Sequence, residues 1–161
     1  MIINQLHFIT LVDNQLKLDV MESTITKEKV GLFLASLQIG GDKPGAPLFM
    51  VKFLVYTPGR TLSGIGDITQ AVNPPVDVNT NLHGDYSYMC VMPKNCHLLV
   101  IATGYPIIKW PHHGGIGPVL QPNVHLRMVL TEDWKTGTAT YQYVTPDGKW
   151  HEVENAPVKM I

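Results

Sequence analysis

Apolar residues fall on alternate positions along most of this chain, the period of a strand with one buried face. The pattern runs through residues 3–12 and 15–21, with Asp13-Asn14 as a two-residue turn between them. Further strand-like runs follow over 29–39, 47–57, 61–72, 77–92, 96–108, 124–130, 138–144 and 150–153, and residues 158–161 extend the sheet. Gly40-Gly-Asp-Lys-Pro-Gly45, Pro58-Gly59, Asn73-Pro-Pro75, Pro93-Lys-Asn95 and Thr145-Pro-Asp-Gly148 separate these runs with residues that favour turns. Gly64 and Gly66 inside the 61–72 run suit a bulge or a bend. No stretch of a dozen residues has apolar positions at helical spacing with capping residues in place.

These signals predict an all-β protein without a long helix: an antiparallel β-sandwich or closed barrel of about eight to ten strands. Two segments break the alternation. Leu48–Tyr56 and His97–Ala102 are apolar on both faces. An antiparallel sheet normally turns one face to the core and the other to water. A two-sided apolar strand therefore calls for a second cover, either another layer of its own fold or another chain. That consideration favours the sandwich. It also makes Phe49, Val51, Phe53, Leu98 and Val100 candidate interface residues.

The chain divides into a hairpin arm with a polar linker, residues 1–28, and one β-domain, residues 29–161. The arm carries Leu6 and Phe8 with Val12, Leu16, Leu18 and Val20, too apolar to stand in water. A lone hairpin is marginal, so the arm must dock, and the linker at 22–28 gives it reach for strand addition to a neighbour. Leu6 and Phe8 join the interface candidates.

With 161 residues the chain can bury a core without metals or disulfides. Charged residues make up 16% and mean hydropathy is +0.06, apolar for a soluble monomer and suited to a homo-oligomer. The net charge of −1 gives no driving term for nucleic-acid backbones. No apolar run reaches the roughly 20 residues of a membrane-spanning helix. The N-terminus lacks a basic stretch before its apolar residues, so the default compartment is the cytoplasm, and specialised export would leave no mark. Cys90 and Cys96 would face each other across a tight hairpin at Pro93. A one-residue change of register would part them, and in a reducing compartment they are two small apolar side chains.

Chemistry is sparse. His112 and His113 sit in the loop Trp110-Pro-His-His-Gly-Gly-Ile-Gly-Pro118, but no other histidine or acid falls at a ligand spacing, so neither metal nor cofactor is expected. The loop lacks the lysine and hydroxyl of a phosphate-binding motif. Cys96 and His97 are consecutive on a strand and point apart. Glu132-Asp133 read as a solvated turn. No enzyme is expected. Aromatic residues offer the clearest binding signal: Trp110, His112 and His113 in the loop, and Tyr86 and Tyr88 on one strand face, are candidates for a small ligand or a glycan.

Val30-Gly-Leu-Phe33, Ile68-Thr-Gln-Ala-Val-Asn-Pro-Pro75, Gly84-Asp-Tyr-Ser-Tyr-Met89 and Gly114-Gly-Ile-Gly-Pro118 resemble a bacterial family known as a domain of unknown function. The resemblance covers residues 30–161 and implies a small β-domain with no activity attached. The expected function is non-enzymatic self-assembly through apolar strand faces and the arm. A lectin-like domain or a barrel holding a hydrophobic ligand is the alternative.

Overall fold

A computed structural model describes residues 31–92, 95–109 and 120–161. The arm with Leu6 and Phe8, and the loop residues Trp110, His112 and His113, lie outside the described residues. Every regular element among the described residues is a strand: β1 (Leu32–Gly40), β2 (Leu48–Tyr56), β3 (Thr61–Gln70), β4 (Val76–Met92), β5 (Asn95–Pro106), β6 (Val124–Thr131), β7 (Thr136–Val144) and β8 (Trp150–Met160). Each strand pairs with the next, and β8 returns to β1, closing an eight-stranded barrel. The seam is short, from Leu37 opposite Met160 to Ile39 opposite Val158.

The barrel corrects the preference for a sandwich, and it answers the two-sided strands differently. Phe49, Val51 and Phe53 on β2, with Leu98 and Val100 on β5, point inward and are buried in the barrel's own core. Their neighbours at the opposite phase, among them Leu54 and Ile101, stay partly exposed on the outer wall. Closure removes both sheet edges, so the wall needs no second layer to protect its backbone. The interior holds Leu37, Ile68, Leu82, Met128, Leu130 and Tyr141 as well. Eight strands give a bore that side chains fill.

Residues 150–153 and 158–161, read from the pattern as separate pieces, belong to the one strand β8. A bulge at Glu154–Asn155 joins them: the register against β7 shifts between Ala139 and Tyr141, and Asn155 takes a φ of 53°, while Pro157 keeps its regular place opposite Thr138. Gly64 and Gly66 mark no such irregularity. The β2–β3 and β3–β4 ladders run through them without a shift. They are glycines because a Cβ on Gly66 would lie 2.6 Å from the Phe49 ring, and one on Gly64 would strike the backbone of β2.

The two ends are finished by different devices. At the lower end, reached by the β2–β3, β4–β5 and β6–β7 turns, Trp134 adopts a φ of 64° and turns its indole inward. Its ring meets Phe33 and Tyr86 edge-on at centroid distances of 5.4 and 5.2 Å. The β4–β5 hairpin continues past this end, where Cys90 and Cys96 are opposed in register and form a disulfide. At the upper end, Asn123 ties three strands. Its side chain accepts from Thr80 Oγ1 at 2.7 Å and donates to the Asn79 carbonyl at 3.2 Å. Its backbone N–H donates to Gly104, and its carbonyl accepts from Val144.

One interior polar atom has no partner among the described residues. Tyr141 Oη is buried without a hydrogen bond, beside the rings of Phe49 and Tyr143. Burial, and secondarily Tyr143, pushes its pKa well above the ordinary tyrosine value. An orphaned buried hydroxyl costs about 1–3 kcal/mol. Tyr141→Phe is therefore expected to raise stability by about 1 kcal/mol, seen as a higher urea midpoint at an unchanged slope. A lower midpoint would show that the hydroxyl has a partner, such as a buried water.

Candidate functional site

The outer wall carries two distinct features, both set by which residues fall on the solvent phase of each strand. The first is an apolar hollow of about 530 Å³ on β1 to β4. Leu34, Leu54 and Ile65 line it, with relative exposures of 75%, 39% and 49%. Lys52, Asn81 and His83 form its polar part. Ile65 lies directly between Lys52 on β2 and Asn81 on β4, so the hollow spans neighbouring strands. Asp67, one outward position further along β3, adds an exposed carboxylate to the same wall.

The second feature lies at the upper rim, where β4 begins, β5 ends and the β7–β8 turn folds over. A hollow of about 510 Å³ is lined by Asp77, Asn79, Gln121, Asn123, Thr145 and Trp150, with prolines 106, 122 and 146 at its margins. The Thr145-Pro-Asp-Gly148 turn is built as its residues dictate. Gly148 takes a φ of 81° and donates to the Thr145 carbonyl at 2.8 Å, and the Thr145 hydroxyl binds the Asp147 carboxylate. That hydroxyl holds Asp147 below the usual carboxylate range. This turn sets Trp150 opposite Val144, on the outer wall. There the indole stacks on His125 at 5.2 Å with 17° between the planes.

Of the residues singled out from sequence, Tyr86 and Tyr88 do share a face, with rings 6.0 Å apart. Tyr86 is nevertheless buried in the lower aromatic cluster, which raises its pKa, and only Tyr88 reaches solvent. Arg60 lies over the Tyr88 ring, 5.7 Å from its centroid. Neither tyrosine lies in the two hollows. The paired Cys90 and Cys96 replace the two independent thiols of the reducing-compartment reading. Glu132 and Asp133 are exposed beside the β6–β7 turn. The Thr131 hydroxyl and the Lys135 N–H hold the Asp133 carboxyl low.

The residues that line the two hollows differ from those the apolar runs point to. Leu34, Leu54 and Ile65 are apolar side chains at the outward phase of their strands, a signal present in the sequence once strand phase is assigned. Trp150 is readable in the same way, because the five residues Thr145–Lys149 between Val144 and Trp150 place it opposite that outward residue. Among the described residues no group of three or more histidines, cysteines or acids could hold a metal ion. Among them, too, no helix is long and apolar enough to cross a membrane.

Comparison with curated proteins finds no match to this chain. Residues 30–150, three quarters of its length, match the family described as a domain of unknown function, DUF1842, and the chain belongs to that family.

Proposed function

We propose that the protein is a non-enzymatic assembly module that associates with copies of itself through the outer wall of β1 to β4. The observation that carries this reading is the convergence of Leu34, Leu54 and Ile65 on one hollow of a wall that the closed fold has no structural need to make apolar. Exposed apolar surface of this kind marks contact sites. The wall also carries both signs of charge, Lys52 and Asp67, which makes it complementary to a second copy related by a two-fold axis. The low charge fraction of the chain supports the same reading. Residues 1–28, with Leu6 and Phe8, are a second proposed contributor to assembly. The Cys90–Cys96 disulfide supports a working compartment that is oxidising, in place of the cytoplasm expected by default.

Sedimentation velocity of the full chain tests the proposal. A dimer or larger species is expected at micromolar concentration. The double variant Leu54→Lys, Ile65→Lys should weaken association about a hundredfold, since two apolar anchors are worth about 3 kcal/mol. A monomer throughout the micromolar range overturns the reading. So does an oligomer indifferent to both substitutions.

A further inference from the structure

We infer that the upper-rim hollow beside Trp150 is a binding site for a neutral sugar ring. The argument begins with the indole. One of its faces lies against His125, yet the residue is 49% exposed, so the opposite face is open. The two rings border different depressions: His125 lines a groove with Arg127, Gln142 and Glu152, whereas Trp150 lines the rim hollow. Trp150 is therefore a wall of the rim hollow, and the stacked imidazole fixes its tilt.

Aromatic faces of this kind accept the C–H face of a pyranose, but stacking alone does not choose a ligand. The other side chains of the hollow narrow the class. Among the described residues that line it, Asp77 alone is charged. A phosphate or carboxylate ligand would meet that negative charge with no cation among the described lining residues to offset it. A quaternary ammonium is recognised by a cage of several rings, whereas Trp150 is the one aromatic side chain among the described lining residues. What remains is a set suited to hydroxyl groups. Asn79 Nδ2 donates to Asp77 Oδ1 at 3.3 Å, which orients the two side chains and leaves Asp77 Oδ2 and Asn79 Oδ1 free to accept. Gln121 adds an exposed amide without a hydrogen-bond partner among the described residues. Planar amide and carboxylate groups that both donate and accept match vicinal hydroxyls, each of which also does both.

The floor is rigid. Asn123 spends its side-chain bonds on Thr80 and the Asn79 backbone, and so anchors the strand that carries Asp77 and Asn79. Preorganisation of this sort lowers the entropy that binding must repay. The hollow's volume, about 510 Å³, lies within the usual range for small-molecule sites, roughly 300–1,000 Å³. The site adjoins the β1 to β4 wall at Asn79, which is paired with Asp67, but Trp150 and Asp77 are not among the residues on which the assembly proposal rests, so substitutions there and at Leu54 and Ile65 test the two readings separately.

The test uses the full chain against immobilised neutral oligosaccharides of glucose, mannose, galactose and N-acetylglucosamine, followed by tryptophan-fluorescence titration of each hit. Saturable binding to at least one of them is expected. Trp150→Ala and Asp77→Ala should each weaken it by at least about tenfold, the scale of one lost aromatic or charge-assisted contact. Arg127→Ala, on the far side of the stacked pair, should leave it unchanged. Circular dichroism would confirm that the variants keep the β-spectrum, as their exposed positions imply. Absence of saturable binding to all four classes at millimolar concentration overturns the inference. Binding that survives Trp150→Ala, or that is restricted to anionic or trimethylammonium probes, overturns it as well.

Discussion

Trp134→Ala is expected to remove about 3–5 kcal/mol of folding stability, the usual cost of truncating a buried large aromatic residue. Domains of this size are held by only about 5–15 kcal/mol, so the loss should be plain in a urea titration. The indole is 2% exposed and closes the lower end of the barrel against Phe33 and Tyr86. To reach that position the residue takes a left-handed φ of 64°, unfavourable for a side chain of this bulk. The turn therefore accepts backbone strain in order to place the ring. Trp134→Gly separates the two contributions: it loses the ring but relieves the strain, and should be milder than Trp134→Ala by about 1 kcal/mol. Trp134→Phe should keep most of the stability. A loss below about 1 kcal/mol for the alanine variant would mean that Trp134 is not the closure.

Gly64→Ala is expected to cost about 3 kcal/mol, the upper end for overpacking a dense interior. A Cβ there would lie 2.1 Å from the Lys52 carbonyl oxygen and 3.0 Å from the Phe53 Cα. Both atoms belong to the backbone of β2, which cannot rotate out of the way. Adjacent strands would have to separate, with loss of ladder hydrogen bonds. At Gly66 the nearest obstacles are side-chain atoms of Phe49 and Leu82, so Gly66→Ala should be destabilising but less so. Equal urea midpoints for wild type and Gly64→Ala would contradict the close approach of β2 and β3.

Much of the fold was legible along the chain. The period-two pattern marks β6 almost to the residue, the two-sided apolar run with its flanking turns marks β2, and the turn chemistry at Thr145-Pro-Asp-Gly148 is realised as its side chains require. These are local properties: a strand's phase and a turn's hydrogen bonds depend on residues a few positions apart. The outward apolar residues Leu34, Leu54 and Ile65 were legible in principle, because strand phase alone exposes them. They were overshadowed by Phe49, Val51 and Phe53, whose larger apolar count suggested an interface although they form the barrel's own core. The disulfide was left open because one residue of register decides it, and the register at the β4–β5 tip depends on how that hairpin grows out of the barrel.

By itself, then, the sequence determined that the protein is antiparallel β-structure, where its strands run, and which side chains share a face. Only the tertiary structure decided that the sheet closes. Closure depends on the pairing of Leu37–Ile39 with Val158–Met160 at opposite ends of the described chain, and on twist accumulated over eight strands. No window of sequence contains either quantity. The same holds for both outer hollows and for the inward turn of Trp134. Each is made by residues from several strands, and their juxtaposition exists only once the barrel has set the register between them.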